Sequence, residues 1–182
     1  HDQTTRPLED MRWEMFSLLM HGAHVTIVDK TPFDGGLDRV AYERYGDIFR
    51  EVLAKGEHFG RQHRPLADVG LFFSHRTRDW YARETPRKYF DPVYGAHEAV
   101  VLGHLPAEFV FDERLTLERL RRHRVVYAPG AAILEPETVA LLEDYVRGGG
   151  KLLVTGDTGT HDRMGAPLAE SALANLIGAK LV

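Results

Sequence analysis

The sequence predicts an α/β protein with a doubly wound parallel sheet of flavodoxin-like type. The strongest indication is a complete strand, helix, strand unit over residues 124–158. Its two strand segments, Val125 to Ala128 and Lys151 to Thr155, are short apolar runs without polar alternation, as in strands buried on both faces of a sheet. Strand and helix segments alternate along the chain. Such alternation indicates parallel strands joined by right-handed crossovers.

The helix of this unit has clear start and stop signals. Pro136 suits the first helical position, where its missing N–H costs nothing. Apolar residues then recur at helical spacing, at Val139, Leu142 and Val146. The glycines at 148–150 end the helix. A phosphate-binding glycine loop leads from strand to helix, whereas this run leads from helix to strand, so it predicts a helix stop and no nucleotide site.

The first sixty residues predict a helix, a strand and a second helix. Apolar spacing indicates a helix over Leu8 to Met20, with Gly22 as its left-handed cap. Val25 to Val28 have the composition of a strand, and a long helix is expected from Leu37 to Val52, ending near Gly56. One strand cannot be buried alone, so this unit must belong to a barrel or sheet whose other strands are absent or come from the rest of the chain.

A polar connection at residues 61–65 is the predicted boundary between two domains, residues 1–64 and 65–182. His1 is not an initiator methionine, and Leu181 and Val182 resemble the start of another strand, so we expect an excised piece whose second domain is truncated at its C-terminus. The remaining elements predicted in the second domain are a strand at Ala67–Phe73, a helix at about Pro92–Leu102, a strand at Glu108–Phe111, a short helix at Leu117–Arg122 and a last helix at Ala172–Ile177 closed by Gly178.

The composition limits the function classes. The 182 residues are 43% hydrophobic with a net charge of -4, which describes a soluble globular protein and disfavours nucleic-acid or anionic-membrane partners. No apolar segment approaches the ~20 residues of a membrane span. No signal peptide is visible, and a cytoplasmic location is expected. The basic cluster at residues 119–124 is interpreted as a solvated helix end.

Two loops supply candidate ligand or interface residues, because ligands of doubly wound folds bind at the carboxyl ends of the strands. Aromatic side chains beside arginine are typical anchors of interfaces and sugar-facing surfaces, and an ordinary packed loop with a solvated rim is the alternative. The candidates are Ser74, Arg76, Asp79, Trp80 and Tyr81 from the first loop and Asp157 and Thr158 from the second.

Asp29 and Lys30 form a separate candidate pair. If Val25 to Val28 is a barrel strand, both residues lie at its carboxyl end, where the active sites of barrels are found. They would then lie where such a barrel binds its ligand. A structural salt bridge is the alternative interpretation.

Several chemistries are excluded or disfavoured by residue type. There is no cysteine, so disulfides, thiolate metal sites and the amidotransferase nucleophile are excluded. Ser74 lacks the G-x-S-x-G elbow of serine hydrolases. The tetrapeptide at 157–160 matches that of aspartic proteases, but such sites need two aspartates sharing a proton. The ten histidines form no compact ligand set, so no metal and no cofactor are expected.

Four segments of the second predicted domain form one recognisable pattern. They are Val126 to Pro129, Leu141 to Val146 with Gly148 and Gly149, Leu152 to Gly156, and Asp162 with Gly165 before Leu173 to Gly178. Together they resemble the trimerisation domain of glycoside hydrolase family 42 β-galactosidases. The resemblance implies a flavodoxin-like, glutamine-amidotransferase-like fold that follows a (β/α)8 catalytic barrel. Residues 8–57 are similar to the last strand and helix of that barrel.

The resemblance also implies what the chain lacks. Retaining glycosidases use two carboxylates about 5 Å apart, and in the family both are glutamates of earlier barrel strands, so they would lie upstream of His1. The family's acid/base glutamate follows an asparagine, whereas Asn175 here is followed by Leu176. We therefore expect an inactive fragment of a retaining, β-galactosidase-like enzyme, whose parent contacts carbohydrate only through the missing barrel. The alternative is that the parent belongs to a related group of glycosidases and acts on another sugar.

The expected function is non-catalytic: oligomerisation, with three copies around an axis, and framing of the active site. In this interpretation the loop at Trp80 is a candidate for reaching a neighbour's substrate cleft. The alternative is a stand-alone flavodoxin-like module that binds a small molecule in the crevice near Ser74 and Asp157. An independent hydrolase that uses one of these two residues is the weakest interpretation.

Overall fold

The computed structural model describes residues 6–28, 34–59 and 65–178. The chain divides into two compact units, residues 1–64 and 65–182, which are described separately. Asp29 and Lys30 lie outside the described residues. The interpretation of the first unit as the end of a barrel stays a prediction.

Two helices and a short 3₁₀ turn make up the regular structure described in the first unit. They are α1 (Leu8–Met20), α2 (Arg39–Ala54) and the turn Gly56–Phe59. Both predicted helices are confirmed. Met11, Met15 and Ile48 form a small buried cluster between them. Arg12 adds a surface ion pair, because its Nε and Nη2 each donate to the Glu51 carboxylate at 2.7 Å.

The end of α1 has the geometry that Gly22 predicts. Gly22 has a φ of +75°, and its N–H donates to the carbonyl of Leu19 at 3.0 Å. The next N–H, of Ala23, donates to the carbonyl of Leu18 at 2.9 Å. These two bonds form a Schellman motif, which satisfies carbonyls that the helix leaves without partners.

The strand predicted at Val25 to Val28 is wrong for this structure. The segment has no regular secondary structure, and Val28 is 88% exposed. A β-strand needs a neighbouring strand for its N–H and C=O groups. The described part of the first unit contains no such neighbour. Local composition therefore favoured a strand for which the described residues of this unit offer no partner.

The second unit is built on a four-stranded sheet in which all strand pairs are parallel. The strand order is β2-β1-β3-β4, the order of the first four strands of a flavodoxin-like sheet. The predicted fold class is confirmed. The strands are β1 (Val69–Phe73), β2 (Ala107–Phe111), β3 (Val125–Pro129) and β4 (Lys151–Thr155).

Helices cover both faces of this sheet, as the doubly wound prediction requires. The helices are α3 (Arg87–Leu102), α4 (Leu117–Leu120), α5 (Pro136–Arg147) and α6 (Ala174–Ile177). Ala96 and Val100 of α3 pack with Leu71 on one face. Leu120 of α4 and Leu142 of α5 belong to the main core cluster on the other face. Because side chains alternate along a strand, β1, β2 and β3 each contribute to both clusters, whereas Leu152 and Val154 of β4 pack against the main core cluster.

The helix α3 begins five residues earlier than predicted, at Arg87 instead of Pro92. The start signal is Pro86, which directly precedes the first helical residue. Pro92 is an interior residue of α3. It lies against Gly130, where an added Cβ would be 3.2 Å from the Cβ of Pro92. The short helices α4 and α6 are present but cover less sequence than predicted.

The strand, helix, strand unit β3-α5-β4 matches its prediction closely. Pro136 is the first residue of α5, and Gly148 follows its last residue. Gly149 has a φ of +96°, which a glycine adopts without strain. Gly150 makes a close approach, because a Cβ there would lie 2.3 Å from the ring of Tyr145. Three consecutive glycines thus stop the helix and admit a buried aromatic ring.

Candidate functional site

The segment after β1 forms a five-residue π-helical turn, Thr77–Tyr81. The N–H of Ala82 closes it by donating to the carbonyl of Thr77 at 2.9 Å. Thr77 is fully buried, whereas Trp80 is 39% exposed and the side chain of Asp79 is 52% exposed. Single π turns occur frequently at functional sites. Here the turn separates an internal anchor from an outward-facing tip.

Ser74 lies beneath this turn and does not reach solvent. It is 1% exposed, and its N–H donates to the hydroxyl of Tyr89 at 2.6 Å. Its Oγ donates to the carbonyl of Ile133 at 3.1 Å and accepts the N–H of Thr77 at 3.0 Å. Thr77 Oγ1 accepts the N–H of Ile133 at 3.0 Å. Ser74, Thr77 and Ile133 thus form an internal network that joins the turn to the loop after β3.

Thr158, the second candidate hydroxyl, is also internal. It is 6% exposed, and its Oγ1 lies 2.8 Å from the carbonyl oxygens of both Ala128 and Thr155. The same oxygen accepts the N–H of Ala131 at 3.1 Å. Thr158 therefore ties the turn after β4 to the end of β3. Its proton is used inside the protein and the residue is buried, so this hydroxyl is not available to a ligand.

Tyr81 and Asp157 bring the two predicted loops together. The hydroxyl of Tyr81 donates a short hydrogen bond to Oδ2 of Asp157. The ring of His161 packs against Tyr81 with 4.5 Å between the ring centroids. Lys88 Nζ lies 5.3 Å from the centroid of the same Tyr81 ring. The carboxyl ends of β1 and β4 therefore share one side-chain cluster, centred on Tyr81.

This environment changes the acidity of the phenol. Burial raises the pKa of Tyr81 to about 12, and the hydrogen bond to the Asp157 carboxylate acts in the same direction. Both causes disfavour a phenolate, the first by removing water and the second by placing negative charge beside the oxygen. Tyr81 is therefore a neutral hydrogen-bond donor at physiological pH.

The charged candidates of the first loop have partners within the surface. Arg76 Nε lies 2.9 Å from Oε1 of Glu135, the residue that precedes α5. Arg78 donates twice to the carboxylate of Asp79, at 2.6 and 3.0 Å. These hydrogen bonds lower the pKa of Asp79. The loop thus presents paired charges around Trp80 instead of a concentrated charge of one sign.

We refer to the exposed and partly exposed members of this cluster as the carboxyl-end surface, which comprises Arg76, Asp79, Trp80, Tyr81, Asp157 and His161. It has an exposed indole, a fixed phenol and paired charges. The candidate hydroxyls of Ser74 and Thr158 are buried and do not belong to it. The described residues contain no group of three or more side chains suited to hold a metal ion. The arrangement is suited to contact with another surface or a sugar.

Sequence reasoning did not identify three residues of this region: Lys88, Glu135 and His161. Lys88 is the second residue of α3 and Glu135 precedes α5, so both reach the cluster through the packing of these helices. His161 could have been predicted more easily, because it lies only four residues after Asp157. A positive φ of +86° at Gly165 brings the backbone of that loop against Trp80.

The family of the chain follows from one comparison. Residues 67–181, well over half of the chain, match the family model described as the β-galactosidase trimerisation domain. The chain belongs to this family. The description implies that parent proteins of the family associate with themselves. Among curated proteins, none matches the sequence significantly.

Solved structures similar to this trimerisation-domain chain share its fold at low sequence identity. A β-galactosidase from Bacillus circulans sp. alkalophilus is 18% identical with a TM-score of 0.73, over 94% of this chain and 28% of that chain. A catalytic mutant of Gan42B, a GH42 β-galactosidase from G. stearothermophilus, is 20% identical with a TM-score of 0.68, over 93% and 27%. The α-L-fucosidase isoenzyme 2 from Paenibacillus thiaminolyticus is 22% identical with a TM-score of 0.64, over 91% and 25%.

The trimerisation-domain chain spans little more than a quarter of each of these three proteins, since the largest share is 28%. Within the part of the chain that the structure describes, no helix has both the length and the apolar character needed to cross a membrane.

Proposed function

We propose that this chain is the non-catalytic oligomerisation and active-site-framing domain of a glycoside hydrolase. The observation that carries the proposal is the family match over residues 67–181. Self-association of the parent follows from the family, and the finer proposal is a homotrimer. The family match favours this function over the alternative of a stand-alone module that binds a small molecule.

The burial of the two candidate hydroxyls supports a non-catalytic role. The hydroxyls of Ser74 and Thr158 are buried and hydrogen-bonded, and the sequence contains no cysteine. An independent hydrolase at the carboxyl-end surface would need an accessible nucleophile with a base beside it. We expect the purified chain to show no turnover of a chromogenic aryl galactoside. Turnover that disappears in Asp157→Asn would refute the proposal.

The coverage of the similar structures supports a barrel origin for residues 1–64. Residues 65–182 make up about two thirds of the chain, yet the matches extend over 91% to 94% of it. Most of the first unit therefore has a counterpart in those proteins. We propose that it is the end of a (β/α)8 barrel and that the catalytic glutamates belong to the parent outside this chain. Asp29 and Lys30 stay candidates for a position near the sugar.

The substrate class of the parent is proposed as carbohydrate, with a β-galactoside as the first choice. The similar structures reported above are two β-galactosidases and one α-L-fucosidase. The same domain fold thus accompanies more than one glycosidase specificity. A cytoplasmic location of the parent is part of this proposal and is tested by fractionation of cells that produce it.

The carboxyl-end surface is the proposed framing element. The exposed indole of Trp80 is held at the tip of a fixed turn, which suits it to contact a neighbouring subunit's substrate cleft. In the full-length parent, Trp80→Ala should lower kcat/KM while the trimer persists. Trp13→Ala is the matched control, because Trp13 is 77% exposed on α1. Equal kinetics for the two variants would contradict a framing role for Trp80.

Sedimentation equilibrium over a wide concentration range tests the proposed association directly. We expect the mass of the purified chain to approach three times 20.6 kDa as concentration rises. A mass that stays at that of one chain up to the highest concentration would overturn the proposal for this chain.

A further inference from the structure

The edge strand β2 presents unpaired backbone groups to solvent. Its neighbour β1 begins with Val69, whose N–H donates to the carbonyl of Pro106 at 3.1 Å. Because backbone groups of a strand alternate in direction, those of Glu108 and Val110 also point toward β1. The N–H and C=O groups of Ala107, Phe109 and Phe111 therefore point away from the sheet. Among the described residues, no strand pairs with this side of β2.

A groove of about 460 Å³ runs along this edge. Side chains of β2 form its floor, and the segments that follow β2 form one rim. That rim carries three arginines, Arg114, Arg119 and Arg122. Arg122 pairs with Glu118 at 2.9 Å. For the other two arginines, the described residues supply no ion pair.

The opposite side of the groove is aromatic and already ordered. Phe109 and Phe111 are 38% and 41% exposed although they stand on a strand. The ring of His97 on α3 stacks on Phe109 with 5.8 Å between centroids, and Phe73 lies 5.8 Å from Phe111. Ring contacts on one side fix these side chains while their other side stays open. An ordered aromatic surface binds at a low cost in side-chain entropy.

The usual protections of an edge strand are missing from β2. Natural edges are blocked by proline, by outward charges or by a covering element. Ala107–Phe111 contains no proline and no lysine. Its single charged residue, Glu108, is turned toward the buried His123, with 3.3 Å between Oε1 and Nε2. The edge is therefore open to the addition of another strand.

We propose that the groove along β2 receives an extended segment of a second copy of the subunit, which pairs with the free edge as an added strand. This proposal rests on the proposed function, since the family supplies the self-association and the edge supplies its place. Side chains of an added strand alternate between the two sides. Apolar ones would cover Phe109 and Phe111, and acidic ones would meet Arg114 and Arg119.

A closed ring of three copies requires this kind of contact. In cyclic trimers each copy offers two different surfaces, one to each neighbour, because a head-to-tail contact is not self-complementary. A groove on one copy and an extended segment on the next satisfy that requirement. An edge-to-edge pairing of two β2 strands would instead give a two-fold dimer, with a mass of two chains.

A proline at Phe111 tests the added strand. The φ of Phe111 is −91°, so proline at about −65° needs only a modest backbone adjustment. The N–H of Phe111 points away from β1, so Phe111→Pro keeps the β1–β2 ladder. Phe111→Val is the matched control, since it removes the same ring and keeps the N–H. Sedimentation equilibrium measures the concentration below which the associated protein dissociates. This concentration should be at least about tenfold higher for the proline variant than for the valine variant, because the proline blocks one hydrogen bond and adds a steric clash. Circular dichroism should show both variants folded.

Amide hydrogen exchange gives a second readout at single-residue level. In the associated protein the amides of Phe109 and Phe111 should exchange more slowly than in the dilute monomer. The amides of Glu108 and Val110 should be protected equally at both concentrations, because β1 already holds them. Strand pairing predicts this alternating pattern, whereas a general change in stability would affect all four amides.

The outcomes separate this proposal from the proposed function. A trimer that persists equally in the proline and valine variants would overturn the contact at β2 and leave trimerisation intact. Slow exchange of Phe109 and Phe111 already in the dilute monomer would show that the chain covers its own edge, which also overturns the contact. A wild-type chain that stays monomeric would overturn both proposals, and a mass of two chains would overturn the ring.

Discussion

Replacing Gly150 with alanine should destabilise the second unit strongly, although it adds a single methyl group. The new Cβ would lie 2.3 Å from Cε2 and Cζ of Tyr145 and 2.5 Å from Cε1. These distances are far below van der Waals contact, so the ring or the backbone must move. Tyr145 is only 2% exposed and belongs to the main core, and its hydroxyl donates to the carbonyl of His123 at 3.1 Å.

The magnitude follows from two contributions. Overpacking a well-packed core costs about 1 to 3 kcal/mol. Displacement of the ring would also break the bond to His123, which contributes about 0.5 to 1.5 kcal/mol. We therefore expect Gly150→Ala to lower the free energy of unfolding by about 2 to 4 kcal/mol. Urea denaturation followed by circular dichroism measures this change as a lower midpoint with an unchanged slope.

A double-mutant cycle with Tyr145→Leu tests the cause. Leucine lacks the ring atoms that the new Cβ would meet, so Gly150→Ala should cost much less in that background. A coupling free energy near zero between the two substitutions would refute the steric explanation. A cost below about 0.5 kcal/mol for Gly150→Ala alone, the usual range of neutral surface changes, would refute the predicted overpacking itself.

Three further substitutions have expected outcomes of different sign. Gly95→Ala, on the exposed side of α3 with nothing within 4 Å of the new Cβ, should raise the free energy of unfolding by about 0.5 to 1 kcal/mol in the same urea assay. Tyr81 has a folded-state pKa of about 12, above the ordinary value of 10.0, so its contribution to stability is present below pH 10 and lost as the pH rises through 12. Tyr81→Phe should therefore lose less stability than wild type over that interval, and ultraviolet absorbance should find one fewer late-titrating phenol. Hydrogen bonds from Arg12, and secondly from Lys55, lower the pKa of Glu51 to about 2. This carboxylate therefore stabilises the first unit at a pH above 4.5, its ordinary pKa, and the stabilisation is lost as the pH falls through 2. Arg12→Gln should move the Glu51 titration toward its ordinary pKa, as followed by carbon NMR of the carboxyl group, and an unchanged titration would contradict the assignment to Arg12.

Most elements of the fold could be predicted because their signals are local. Pro136 and Gly148 mark the two ends of α5 in the sequence as they do in the structure. The start of α3 was wrong because Pro92 resembles a first helical residue, whereas Pro86 marks the real start. The strand predicted at Val25 to Val28 was wrong for a different reason. A strand depends on a pairing partner, and composition does not reveal whether that partner exists.

The candidate site was predictable in position and only partly in detail. The topology of a parallel sheet brings the ends of β1 and β4 to one edge, and the structure joins Tyr81 to Asp157 there. The burial of Ser74 could not be predicted, because it depends on Tyr89 and Ile133, which lie 15 and 59 residues further along the chain. Whether a hydroxyl faces solvent is decided by such distant packing and not by its neighbours in sequence.

The network beneath the π turn also affects what contact with Trp80 would cost. Ser74 and Thr77 fasten the base of the turn to Ile133 through bonds that are shielded from water. A loop held in this way has few conformations to lose when its tip touches another molecule. Contact with Trp80 therefore forfeits little backbone entropy, whereas ordering each residue of a free loop would cost about 1 to 2 kcal/mol. The tip can thus form a specific contact, even a small and weak one, without first having to fold.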